Sequence, residues 1–210
     1  MSIAIRRLII WLVCICFLSL AFAYLSGYHG ERSFARADEL PDRALLIKNA
    51  RKLERTPYDM LQGRFGDIGS KLGLIVCSDV PNIAYGRSGY SLKAMLEKDF
   101  AVHGLAYSSE VDNSPRNKFF HRRAKNLFSY FVANGHLMPP NSTPTVGDLA
   151  FYRNTTNGGI THVALVTNVE NIGYHIMESA PETIFAKEEP SGAPIKRGMI
   201  LAGFGRMYEK

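Results

Sequence analysis

Cys77 and His162 are the side chains whose chemistry organises this sequence. A thiol attacks a carbonyl only as thiolate, and a free thiol with a pKa of about 8.5 holds little thiolate near neutrality. A helix N-terminus or an imidazole partner corrects this. Cys77 sits in Leu72-Gly73-Leu74-Ile75-Val76-Cys77-Ser78-Asp79-Val80-Pro81-Asn82, where an apolar run meets a polar, helix-opening segment. The other two cysteines, Cys14 and Cys16, lie in an N-terminal apolar run, so Cys77 is the lone thiol of the globular part. It cannot close an internal disulfide there, and its remaining roles are packing, an intermolecular bond or nucleophilic attack. Of six histidines, His162 is the best base. It stands where the Gly158-Gly159 loop enters the apolar stretch Val163-Ala164-Leu165-Val166, with a fixed backbone and a ring free to face a cleft.

An imidazole base needs a third polar group to fix its tautomer. The next strand offers Glu178 and His175, which differ by three and so face opposite sides. Only one of them can orient His162: Glu178, a carboxylate at the sharp strand end before Ser179-Ala180-Pro181, is the favoured group and His175 the alternative. Asp79 serves as a helix cap or touches substrate. Asp148, after Gly147, makes a turn or helps orient the site. His121 and Arg122, with Arg123, open a helix or bind an anionic substrate group. Asp79, His121, Arg122 and Asp148 are therefore the candidate substrate-binding residues. No C-x-x-C and no H-x-x-x-H pair is present, so no metal is expected. Nor is there a phosphate loop, G-x-G-x-x-G or G-x-S-x-G, and no cofactor is expected.

The elements that must position these residues follow from periodicity. Asp38 or Asp42 caps a first helix with Leu45, Leu46, Ala50 and Leu53 inward, ending near Thr56-Pro57. Residues 57–73 read as loop, with room for a short strand. A helix follows Cys77 to about Gly86, with Ser78 or Asp79 as cap and Pro81 tolerated in its first turn. Ser91 caps another short helix. Residues 101–118 read as loop. His121 to Asn134 reads as one helix with Ala124, Leu127, Phe128, Phe131 and Val132 inward and Gly135 as its stop. After Pro139-Pro140 the period becomes two: strands are expected at 148–153, 162–169, 174–180, 184–187 and 201–207. Helices first and a meander after argue for α+β, with N-terminal helices packed on an antiparallel sheet.

The chain has 210 residues, 46% apolar and 21% charged, enough for one domain behind a targeting segment. Arg6-Arg7 precede an apolar run from Leu8 to Leu25, and Ala21-Phe22-Ala23 fits a cleavage site. Residues 1–25 thus read as signal peptide or uncleaved signal anchor, 26–37 as linker and 38–210 as the domain. Removing the first 23 residues takes away two arginines and no acid, so the net charge falls from +6 to +4. The scattered basic residues suit an anionic envelope surface and give no nucleic-acid stripe. Periplasmic or extracellular placement follows, with membrane contact only through an uncleaved residues 8–25 segment.

The order of parts resembles the NlpC/P60-like cysteine peptidases, whose fold is a permuted papain-like one. Cys77-Ser78-Asp79-Val80 resembles their helix-opening thiol segment. Val146-Gly147-Asp148-Leu149-Ala150-Phe151 resembles the Gly-Asp that introduces a strand, and Thr161-His162-Val163-Ala164-Leu165-Val166 the strand-borne histidine. Nearer still is the secreted bacterial DUF1287 family, which has a similar Cys-Thr-Asp-Val start and a His-Arg-Arg helix like His121-Arg122-Arg123. The resemblance spans residues 45–207. Pro81 departs from it, as does the ambiguous third position. It implies hydrolysis of an amide in peptidoglycan stem peptides by Cys77, His162 and Glu178 or His175. Two other readings stand beside it. One is a non-catalytic envelope-binding domain using aromatic loops near Tyr58, Phe65 and Tyr107. The other is thiol-dependent acyl transfer or lipid hydrolysis at the same site.

Overall fold

The computed structural model describes residues 11, 40–62, 68–107, 110 and 112–208. The expected export segment, Trp11 apart, and the linker at 26–37 lie outside them, as does Phe65. Among the described residues no helix is long and apolar enough to cross a membrane. Asp42 opens helix α1, Arg43–Arg51, by accepting the Leu45 N–H at 2.9 Å. Leu46, Ile47 and Ala50 face inward, with Leu53 just past the helix end. Leu45, expected inside, is exposed: the apolar stripe runs through 46, 50 and 53 and leaves it at the margin.

The stretch after α1 is more ordered than a loop. Arg55 N–H donates to the Ala186 carbonyl at 2.7 Å, Tyr58 N–H to Ile184 at 2.7 Å, and Asp59 N–H to Ile75 at 2.9 Å. Residues 55–59 thus lie between segment 184–186 and Ile75, tying the approach to Cys77 to the end of the sheet. The strand expected at 184–187 is displaced for this reason. Ile184 sits at φ +63°, and the sheet resumes only at Lys187. A single helical turn, α2, covers Ile68–Lys71.

Helix α3, Asp79–Arg87, buries every residue from Asp79 to Tyr85, as a helix sunk in a core must. Helix α4 runs Leu92–His103, capped by Ser91 Oγ on the Ala94 N–H. It extends further than the short helix expected. The single helix expected from His121 is broken. A 3₁₀ turn at Phe120–Arg122 precedes helix α5, Ala124–Ala133, because α3 captures the carbonyls of that turn. Asn82 Nδ2 donates to the His121 carbonyl at 2.9 Å and Ser78 Oγ to that of Arg122. Ala124, Leu127 and Phe131 are buried, whereas Val132 is 52% exposed.

Six antiparallel strands follow: β1 Leu137–Met138, β2 Leu149–Asn154, β3 Ile160–Val169, β4 Tyr174–Glu178, β5 Lys187–Pro190 and, after helix α6 (Ala193–Lys196), β6 Met199–Gly205. Their order is β1-β6-β2-β3-β4-β5. The expected meander holds from β2 to β5, and β6 crosses back to insert between β1 and β2. The chain is thus α+β with helices packed on one antiparallel sheet. Leu149, Phe151, Val163, Leu165 and Met177 pack with the helices. Ala150, Tyr152, Ala164, Val166, Ile176 and Phe204 form a second buried cluster. Central strands buried on both faces lose the polar-out alternation of a solvated sheet.

Candidate active site

The turn that carries Cys77 is fixed from both sides. Asp79 Oδ2 accepts the Val76 N–H at 2.9 Å, and Arg122 Nη2 donates to the same oxygen at 2.6 Å. Ser78 and Asn82 hold the backbone of residues 121 and 122. On the other side Ser179 Oγ donates to the Ile75 carbonyl at 3.3 Å. Cys77 is thereby held two residues before the first residue of α3, half-buried and free of any disulfide. Among the described residues, neither the Cys77 N–H nor the Ser78 N–H donates to another protein group. Both stay open at the positive end of α3.

His162 enters from β3. Tyr152 pairs with His162 and Arg153 with Ile160, so Thr161 is the extra residue of a bulge. Bulges re-aim neighbouring side chains. His162 is 3% exposed. Its Nε2 lies 2.5 Å from Glu178 Oε2, which leaves Nδ1 toward the Cys77 sulfur, whose hydrogen bond and charge act on the ring. Leu165 opposite Met177 puts Glu178 beside Ala164, on the same side of the sheet as His162. His175 pairs with Asn168 at the far end of β4 and lies 3.5 Å from Glu170. Glu178, not His175, meets His162.

Glu178 has no exposed surface. Its second oxygen accepts from Arg197 Nη2, and Arg197 Nη1 reaches Glu189 Oε2 at 3.0 Å. Burial alone would push the Glu178 carboxyl up, but the hydrogen bond from His162, the hydrogen bond with Glu189, the charge of His162 and the hydrogen bond from Arg197 outweigh it and hold the group below the usual carboxylate range. Burial likewise disfavours the His162 cation. The Cys77 and Glu178 hydrogen bonds and charges overcome that and raise the imidazole above its ordinary value. The arrangement therefore favours the protonated imidazole of His162 beside the Cys77 sulfur.

Cys77 opens onto a cleft of about 550 Å³. Tyr58 and Gln62 form one wall, Phe119, Arg122, Arg123 and Lys125 another, and Gly159, Ile160 and Thr161 a third. Tyr58 accepts the Gln62 amide at 2.9 Å, which leaves its own O–H to donate. Burial first, then the charge of Cys77, pushes the Tyr58 hydroxyl well up, so it stays protonated. Tyr58 and Tyr107 are buried, so neither is an exposed aromatic for surface binding.

The remaining predicted residues hold the frame. Arg122 is 8% exposed and spends its guanidinium on Asp79 and, at 3.4 Å, Asp59. Asp79 is not a helix cap, because its carboxylate reaches back to Val76 instead. Burial raises its pKa against the pull of Arg122. His121 is buried and lends its carbonyl to Asn82. Asp148 is fully buried, accepts Thr145 N–H at 2.8 Å and Arg206 Nη2 at 2.9 Å, and lies outside the cleft lining. Gly147 before it takes φ +95°, where a Cβ would meet the Tyr208 ring at 2.8 Å. Asp148→Ala would strand Arg206 and open the turn, and equilibrium urea unfolding should show a loss of about 3–5 kcal/mol. Arg197 was invisible in sequence, since nothing in Lys196-Arg197-Gly198 announces a partner for a residue 19 positions earlier.

A family model described as "Domain of unknown function (DUF1287)" matches residues 49–178, more than half of the chain. The match includes Cys77, Tyr58, Arg123 and His162 and ends at Glu178. No curated protein and no solved structure matches the chain.

Proposed function

The chain belongs to the DUF1287 family, and on that footing we propose that it is an exported cysteine hydrolase that cleaves an amide bond, with peptidoglycan stem peptides as the substrate class. One observation carries the reading: a half-buried thiol at a helix mouth faces an imidazole whose far nitrogen is held by a buried, ionised carboxylate. A structural cysteine needs none of this. The likeness to NlpC/P60-like peptidases and a permuted papain-like fold belongs to the same proposal, and export rests on residues 1–25.

In this reading the Cys77 thiolate attacks the amide carbonyl. The oxyanion is received by the open N–H groups of Cys77 and Ser78 and by the Tyr58 hydroxyl. The His162 imidazolium protonates the leaving amine, the C–N bond breaks and a thioester remains. His162 then takes a proton from water, the resulting hydroxide adds to the thioester, and collapse releases a carboxylic acid and restores the thiolate–imidazolium pair. Glu178 stabilises the cation and fixes the ring, and Arg197 keeps Glu178 ionised.

The test is release of new amines and carboxylates from purified peptidoglycan. Wild-type protein should solubilise stem-peptide fragments, and both iodoacetamide and Cys77→Ala should stop it. Sedimentation with cell walls, no products and indifference to Cys77→Ala would instead identify a binding domain.

A further inference from the structure

We propose that Arg123 reads the substrate by receiving a free carboxylate carried on the peptide near the scissile amide. This rests on the hydrolase reading of Cys77 and deepens it. The cleft wall next to Cys77 bears three cations, Arg122, Arg123 and Lys125, and they differ in what holds them. Arg122 is engaged by Asp79 and Asp59 and has no charge to offer. Lys125 pairs with Glu110. Arg123 is anchored by a neutral group: its Nη1 donates to Asn113 Oδ1 at 2.7 Å. Among the described residues no carboxylate pairs with it.

The anchor is itself built. Asn113 and Asn126 are 7% and 0% exposed. They exchange amide hydrogen bonds of 3.0 and 2.8 Å, and Asn126 Nδ2 also donates to the Phe120 carbonyl at 2.8 Å. A buried amide pair therefore aims a guanidinium along the cleft wall without neutralising it. One donor of five is used. The remaining fork matches the two oxygens of a carboxylate, and its direction is fixed before binding. The break between the 3₁₀ turn and α5 places Arg123 there, since it occupies the N-cap position of α5. A peptide lying in the cleft with its amide at Cys77 would bring an adjacent carboxylate to this fork. The carboxylate is either a side-chain group next to the scissile bond or the peptide's own C-terminus.

The experiment uses the full-length chain as wild type, Arg123→Gln and Arg123→Lys. The substrates are a stem peptide with its internal glutamate carboxylate free or amidated and, separately, its C-terminal carboxylate free or amidated. Wild type should show a KM about 10-fold or more higher for one amidated form, which identifies the carboxylate read, with kcat changed little. Arg123→Gln should raise KM for the free acid by a similar factor and erase the discrimination. Arg123→Lys, which keeps charge and loses the fork, should fall between. Asn113 keeps its bonds to Asn126 in both variants, and unchanged melting temperatures check this. Calorimetric binding of the same peptides to Cys77→Ala protein should show the same acid preference. Equal handling of acid and amide by wild type, or a preference that survives Arg123→Gln, overturns the proposal. Failure of the hydrolase reading would look different: no cleavage by wild type, while acid-over-amide binding lost in Arg123→Gln still supports Arg123.

Discussion

Alanine in place of His162 should leave a folded protein whose kcat on stem peptides is about 10⁴-fold lower. The ring has two tasks: its charge favours the attacking thiolate, and its proton goes to the leaving amine. Without it Cys77 faces an empty pocket, and an amine anion is a poor leaving group. Folding survives because Glu178 keeps Arg197, and through it Glu189. Most of the loss should fall on kcat, since nothing in the cleft lining that would hold the peptide is removed. A variant retaining more than a tenth of wild-type kcat would exclude His162 as the acid–base group.

Glu178→Gln should cost about 10³-fold, for a geometric reason. The carboxylate has two oxygens and two donors facing it, His162 on one and Arg197 on the other. A glutamine has one oxygen. The guanidinium is permanently charged and takes it, which turns the amide NH₂ toward His162 Nε2. The imidazole must then accept at Nε2 and carry its proton on Nδ1, the tautomer that cannot take the thiol proton. Replacing Arg197 as well, as in Glu178→Gln/Arg197→Met, frees the glutamine oxygen for His162 and should recover part of the rate. The pH profile shifts too. Glu178 is one cause of the raised His162 pKa, so without it the ring loses its proton at lower pH and the alkaline limb of kcat moves down. Linkage gives the matching stability trend. The raised His162 contributes stability below the ordinary imidazole value of 6.5, and this is lost as pH rises through its folded value. The lowered Glu178 contributes above the ordinary 4.5, and this is lost as pH falls through its folded value. Glu178→Gln should therefore destabilise most between these two ordinary values, measured by denaturant unfolding against pH.

The sequence carried the local half of this arrangement. A lone thiol before a polar, helix-opening segment and a histidine entering an apolar strand are signals of type and spacing, and the structure brings the two together, although neither Ser78 nor Asp79 caps the helix as expected. The choice between Glu178 and His175 was open because strand periodicity says only that they face opposite ways. Which side meets His162 is decided by the Leu165–Met177 register, a non-local pairing. The break at Arg123 was hidden for a related reason: the apolar period from Ala124 continues the pattern, while the cause lies in Ser78 and Asn82, some 40 residues earlier. The return of β6 to the middle of the sheet leaves no mark in its own residues. Arg122 and Asp148 were charged residues near motifs, and only coordinates show that their charges are spent on Asp79 and Arg206.

The most direct measurement is the alkylation rate of Cys77 by iodoacetamide as a function of pH, read at that residue by peptide mass spectrometry so that Cys14 and Cys16 do not contribute. An imidazolium-paired thiolate predicts fast modification already near pH 6, with His162→Ala slowing it at that pH by about 10-fold or more. A rate that climbs only around pH 8.5, as for a free thiol, and is the same in His162→Ala would contradict the pairing on which the proposed chemistry stands.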